Sequence, residues 1–193
     1  DHRDLHSFPT RRSSDLTFFL HNPQELQFAL ALRYPKLFSD KQYLKILFRK
    51  LMGSELNLEC PQTFSEKLQW LKLYDHNPQY TQMVDKYEAK KYVAGIIGEE
   101  YIIPTLAVYN STSEIDLEAL PDKFVLKCTH DSGSVAICKD KKTFKRDETF
   151  AMLEKGLRKN FFWENREWPY KNVKPRIIKL RSEERFSRNA ETD

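Results

Sequence analysis

Residues 124–141, FVLKCTHDSGSVAICKDK, read as two short strands folded back on each other around a tight polar turn. The strands are expected over 123–129 and 135–139. The first delivers Lys127 beside the loop His130-Asp131-Ser132-Gly133-Ser134. A lysine supplies a compact positive charge, and successive backbone N–H groups in a Gly/Ser turn form an anion-binding nest. Lys127, Ser132, Gly133 and Ser134 are therefore candidate ligands for a polyphosphate. Neither GxxxxGK[ST] nor GxGxxG occurs in the stretch, and a plain hairpin turn with a surface lysine accounts for the same residues.

Upstream, the pattern is helical. Ser39-Asp40-Lys41-Gln42 has capping-box form and precedes Leu44, Leu47, Phe48 and Leu51 at helical spacing, with a stop near Gly53. Ser65 is the expected cap of a second helix, with Leu68, Leu71 and Tyr74 on one face and Asn77-Pro78 at its end. A third is expected from Asp85, an N-cap with Glu88 three residues on, through Tyr92, Val93 and Ile96 to Gly98. Residues 101–109 then read as β-rich. Downstream of the hairpin, Phe150, Leu153, Leu157 and Phe161 share one face of a helix expected over about 146–160, and Pro175-Arg176-Ile177-Ile178 opens another strand. Helices followed by mixed strands and helix define an α/β (α+β) chain.

Three cysteines, Cys60, Cys128 and Cys138, are an odd and sparse set that fits a reducing cytoplasm better than a disulfide framework. Cys128, His130 and Cys138 lack the second paired-cysteine element of a zinc site, so small buried thiols in a hairpin are the preferred account. Lysines and arginines are scattered among acids without a basic block, which argues against nucleic acid as a partner. No run approaches the ~20 apolar residues of a transmembrane segment.

The two ends read differently from the rest. Residues 1–16, DHRDLHSFPTRRSSDL, resemble a conceptual translation of a sequencing adaptor, and residues 181–193, RSEERFSRNAETD, resemble read-through into the matching one. Both are expected to be adaptor-derived, without packed structure. Their removal moves the formal net charge only from +4 to +5. On this reading Glu183 and Glu184 have no functional meaning, and the expected organisation is a helical region over 17–84 and a nucleotide-binding region over 85–180.

Asp85-Lys86 opening a helix, Lys90 or Lys91 within it, Gly98, Pro104, and then strand-borne Lys127 with its hairpin form an ordered set that resembles the ATP-grasp superfamily. Three longer strings sharpen the resemblance: FSEKLQWLKLYDHNPQYTQMVDKYEAKKYV, FVLKCTHDSGSVAICKDK and NFFWENREWPYKNVKPRII. Together they are similar to the TupA-like ATP-grasp family of bacterial capsule, teichuronopeptide and lipopolysaccharide gene clusters, whose members often carry the label glycosyltransferase. The resemblance implies an enzyme that binds ATP with magnesium and activates a carboxylate, and the cysteine usage places its expected location in the cytoplasm. The carboxylate would be joined to an acceptor on a polysaccharide or peptidyl-polymer precursor.

By the same resemblance, Lys86 and Lys127 contact the nucleotide, and Ser132, Gly133 and Ser134 form a mobile cover. His130 and Asp131 stand where other members often show an Asn-His-Gly type sequence, and shape the loop. An acidic adenine hinge and the magnesium carboxylates are expected beyond residue 180, so the chain is expected to be an inactive fragment of the parent enzyme. Two other classes remain open. A glycosyltransferase would need a nucleotide-sugar site, often with a DxD motif, which residues 17–180 lack. A non-catalytic module would use the aromatic segment 161–170, with Trp163, Arg166, Glu167, Trp168 and Tyr170, on a glycan or a protein, although such rings also serve to pack a loop. Arg176 is open in the same way.

Overall fold

The computed structural model describes residues 21–180; the adaptor readings for 1–16 and 181–193, and Glu183 and Glu184, lie outside the described residues. The chain divides between Leu73 and Tyr74 into two compact units. This is earlier than the 84/85 boundary expected from the sequence, because a short helix at Gln79–Val84 packs on the helix that follows Lys86.

The first unit is helical. Helix α1 (Pro23–Arg33) begins with Pro23 in its first turn, where the missing N–H costs no hydrogen bond. Helix α2 (Asp40–Met52) has the expected capping box: Ser39 Oγ accepts from the Gln42 amide at 3.3 Å, and Gln42 Oε1 accepts from the Ser39 amide at 3.1 Å. Its apolar face supplies two buried clusters, Leu44 and Phe48 with Leu56 and Leu58, and Tyr43 and Ile46 with Ala31. Helix α3 (Phe64–Tyr74) is capped by Thr63 rather than Ser65. Thr63 Oγ1 accepts from the Glu66 amide at 3.2 Å, and Glu66 Oε2 accepts from the Thr63 amide at 2.9 Å. Its expected apolar face, Leu68, Leu71 and Tyr74, is exposed.

In the second unit, α4 (Gln79–Val84) and α5 (Glu88–Ile97) precede a four-stranded sheet. The strands are β1 (Ala107–Tyr109), β2 (Phe124–Cys128), β3 (Val135–Cys138) and β4 (Ile177–Leu180), in the order β1-β4-β2-β3 with every neighbour antiparallel. The mixture of helices with this sheet is the α/β (α+β) class expected. The β-rich reading of 101–109 shrinks to β1, because Glu99–Tyr101 form a 3-10 turn and the prolyl ring of Pro104 lacks the N–H a strand ladder needs. Helix α6 (Arg146–Leu157) ends short of residue 160, and a short helix α7 (Phe162–Asn165) follows.

Strand alternation sorts β2 between the two faces of the sheet. Phe124, Leu126 and Cys128 form one row and join Ile177, Leu153 of α6, Ala136 and Cys138 in the unit's core. Val125 and Lys127 belong to the opposite face. Lys127 therefore leaves the sheet on the side away from α6, paired in register with Val135 on one flank and Ile178 on the other.

Candidate functional site

The hairpin turn between β2 and β3 is held from below and from the side. Its ladder closes where the Cys128 amide donates to Ser134 O at 2.9 Å. The Val135 amide donates to Gly133 O at 2.8 Å, a three-residue turn that Gly133 accommodates with φ at 114°, a region closed to most L residues. Ser134 Oγ donates to Asp131 Oδ2, so the loop carries its own internal brace. Thr129, His130 and Asp131 are buried, and the His130 ring contacts Gly156 O of α6 through Nε2 at 3.0 Å. Helix α6 comes this close because residue 156 is glycine: a Cβ there would lie 3.0 Å from Ser134 Cβ and 3.2 Å from Cys128 Sγ.

Lys86 reaches this loop from the other direction. Its amide donates to Thr129 O at 3.1 Å, and its ammonium donates to the same carbonyl at 3.3 Å and to Asp131 O. Burial first, and then the Lys127 ammonium, lower the proton affinity of Lys86 below that of an ordinary lysine. Two residues separated by 41 positions in the sequence thus bring like charges together at one end of the hairpin. A partly buried cationic pair is stabilised by an anion, and the nearby Gly/Ser turn offers backbone amides of the kind that bind one.

The start of α5 is fixed by charge. Asp85 Oδ1 accepts from the Tyr87 amide at 2.9 Å and the Glu88 amide at 3.4 Å, which is the capping role its position suggested. Its Oδ2 accepts from Arg176 Nη2 at 2.7 Å, and Arg176 Nη1 lies 2.9 Å from Glu88 Oε1. The guanidinium also sits 4.8 Å from the Tyr87 ring centroid. Arg176, ambiguous in sequence, is thus the partner of a buried carboxylate. The pairing is invisible from spacing, since its two ends are 91 residues apart.

Lys90, the other basic candidate on α5, donates to Ile103 O at 2.7 Å and to Thr105 Oγ1 at 3.3 Å. That ties the helix to the segment leading into β1. The aromatic segment 161–170 is occupied with packing: Trp168 stacks on His76 at 4.8 Å between centroids, and Tyr170 meets Phe161 edge-on at 4.9 Å. Arg166 is fully buried, its guanidinium 4.6 Å from the Trp163 ring centroid, so it is not presented to an external sugar hydroxyl. Cys128 and Cys138 are buried, free thiols; burial pushes Cys128 up to about 12. Among the described residues no group of three or more His, Cys, Asp or Glu is arranged to hold a metal ion, and a magnesium site is not assigned to them. No described helix is long and apolar enough to cross a membrane.

One lysine, Lys127, thus lies on the strand that enters the hairpin loop, and a second, Lys86, just ahead of α5, is bonded to the backbone of that loop. The family model described as TupA-like ATPgrasp matches residues 66–193, and the chain belongs to this family. At the level of the family this is an ATP-dependent, ligase-like class of enzyme. The comparisons with curated proteins and with solved structures gave no match.

Proposed function

We propose that this chain carries the nucleotide-binding hairpin of an ATP-dependent ligase acting in bacterial cell-surface polysaccharide biosynthesis, in the cytoplasm. The observation that supports the reading is that Lys86 bonds the backbone of the hairpin loop at Thr129 O and Asp131 O and is depressed by burial and by the charge of Lys127. Phosphoryl transfer depends on positioning and on charge stabilisation more than on covalent chemistry by the protein. In this reading Lys127 and Lys86 bind phosphate oxygens, the amides of residues 132–134 cover them, and Asp131 stays turned toward Ser134, away from the phosphates. In the proposed reaction a substrate carboxylate oxygen attacks the γ-phosphorus and ADP leaves. An amine or similar acceptor on the polymer precursor then attacks the acyl carbon, and inorganic phosphate leaves. Magnesium bound with ATP would supply further neutralisation of the phosphate charge.

The test is amine acylation of the chain, followed residue by residue by mass spectrometry, with and without magnesium and ATP. Protection of both Lys86 and Lys127 by ATP, with no protection by a nucleotide sugar, is the expected result. Protection by a nucleotide sugar alone would favour a glycosyltransferase instead. Protection by neither would remove the nucleotide reading. The packing of Trp168 on His76 and the burial of Arg166 disfavour a glycan-binding module built on residues 161–170.

A further inference from the structure

Among the described residues the Lys86 ammonium bonds backbone carbonyls rather than side chains, and its position is tied to a closed chain of contacts through Arg176. The Arg176 carbonyl accepts from the Thr129 amide at 2.9 Å, which anchors the end of β2 to the start of β4. The Thr129 carbonyl accepts from both the Lys86 amide and the Lys86 ammonium. The preceding residue, Asp85, returns the chain to the Arg176 guanidinium at 2.7 Å. Arg176 thus holds the loop with its backbone and the lysine's helix with its side chain. The Asp85 carboxylate is buried and the Arg176 side chain is 13% exposed, so the ion pair sits where water does not loosen it.

We infer that Arg176 is a positioning residue for Lys86: its planar guanidinium, bridging Asp85 and Glu88 while lying over Tyr87, sets where the Lys86 ammonium meets the hairpin loop. The inference rests on the reading of Lys86 as a phosphate ligand. A lysine at position 176 would keep the charge, but one ammonium cannot reproduce the two-nitrogen fork and the stacked plane. A second carboxylate, Glu88, makes the geometry two-pronged, so that rotation of α5 about Asp85 alone is opposed.

The experiment is a double-mutant cycle on the full chain. Arg176→Lys is expected to weaken ATP binding about tenfold in the otherwise unaltered protein. It should have almost no effect in a Lys86→Met background, while retaining its full effect in a Lys127→Met background. A separate readout does not need ATP: the apparent pKa of the Lys86 amine, from the pH dependence of its acylation. Arg176→Lys conserves charge and should move that pKa up toward the ordinary 10.5 as Lys86 leaves its partly buried position. Glu88→Gln, milder for folding, should do the same to a smaller extent. An unchanged Lys86 pKa in every folded variant overturns the inference, as does an equal loss of ATP affinity with and without Lys86. Absence of ATP binding by the unaltered chain would fail the nucleotide reading alone, since the acylation readout still decides whether Arg176 positions Lys86.

Discussion

Gly156→Ala separates helix propensity from loop packing, and the structure gives the two effects opposite signs. Residue 156 lies in the last turn of α6, where alanine is favoured over glycine by ~0.5–1 kcal/mol. Against this, the new methyl would stand 3.0 Å from Ser134 Cβ and 3.2 Å from Cys128 Sγ, and closer still to Ser134 Oγ. Ser134 cannot simply rotate away without giving up its hydrogen bond to Asp131, and Cys128 belongs to the buried core. Overpacking of this kind costs ~1–3 kcal/mol. The expected net effect is a loss of about 1 kcal/mol, a fall in Tm of ~2–8 °C. Thermal unfolding followed by circular dichroism measures it, with Ser134→Gly as the second arm of a cycle. Removing Oγ and Cβ from residue 134 should cancel about 1 kcal/mol of the Gly156→Ala penalty. A Gly156→Ala variant that gains stability, with no coupling to position 134, would refute the close approach of α6 to the hairpin loop.

Asp85→Ala should destabilise the chain by ~3–5 kcal/mol, because it leaves the Arg176 guanidinium poorly compensated and removes a cap from α5; urea unfolding checks this, and a change within ~0.5 kcal/mol, the size of an ordinary surface substitution, counts against it. Gly133→Ala should cost ~1–2 kcal/mol from backbone strain alone, since φ is 114° and a Cβ would meet nothing within 4 Å. If Gly133→Ala unfolds at the same urea concentration as the parent, the turn conformation is wrong. Cys128 makes a pH prediction: with its thiol raised from 9.0 to about 12, its stabilising contribution is complete below pH 9 and is lost as pH climbs toward 12. Stability of a Cys128→Ala variant should therefore fall less steeply over that window than that of the parent, and parallel curves would contradict the burial of the thiol. Under native conditions a thiol reagent should modify exposed Cys60 well before buried Cys128 and Cys138, as peptide mapping would report.

Local signals carried much of this fold. The Ser39 box is visible because a serine three residues before a glutamine satisfies two amides reciprocally, and that chemistry needs nothing from the rest of the chain. The hairpin is legible for the same reason: apolar runs of strand length flank a polar Gly-containing turn, and β2 and β3 fall within a residue or so of expectation. Thr63 and Ser65 show the limit. Both are competent caps near a glutamate, and the choice fell to Thr63 because Glu66, at the right distance from it, closes the reciprocal pair. Residues 101–109 carried β-forming side chains but no partner information, and only three of them find a neighbouring strand in β4. Arg166 and Arg176 were the least legible. Arginine is normally exposed, and nothing in composition distinguishes one that is buried against tryptophan or locked to a distant aspartate.

The site itself divides along the same line. Lys127 and the Ser132-Gly133-Ser134 turn form one local string, so their proximity follows from the hairpin alone. Lys86 joins them only through the tertiary structure, and the reason it does so is electrostatically uneven. Its ammonium is half-buried, meets backbone carbonyls of Thr129 and Asp131, and faces the field of a second lysine. Folding by itself gains little from such an arrangement, since both desolvation and the neighbouring charge act against the protonated amine; that cost is present at neutral pH and is relieved as pH rises from the lowered pKa toward 10.5. The buried Asp85–Arg176 pair has the opposite character: opposite charges meet at 2.7 Å with little exposure to water, and the pair bears directly on the residue next to Lys86. An ion pair of opposite charges thus holds an unfavourably placed lysine against the hairpin loop, and in the proposed reading the charge of a bound phosphate would offset that cost.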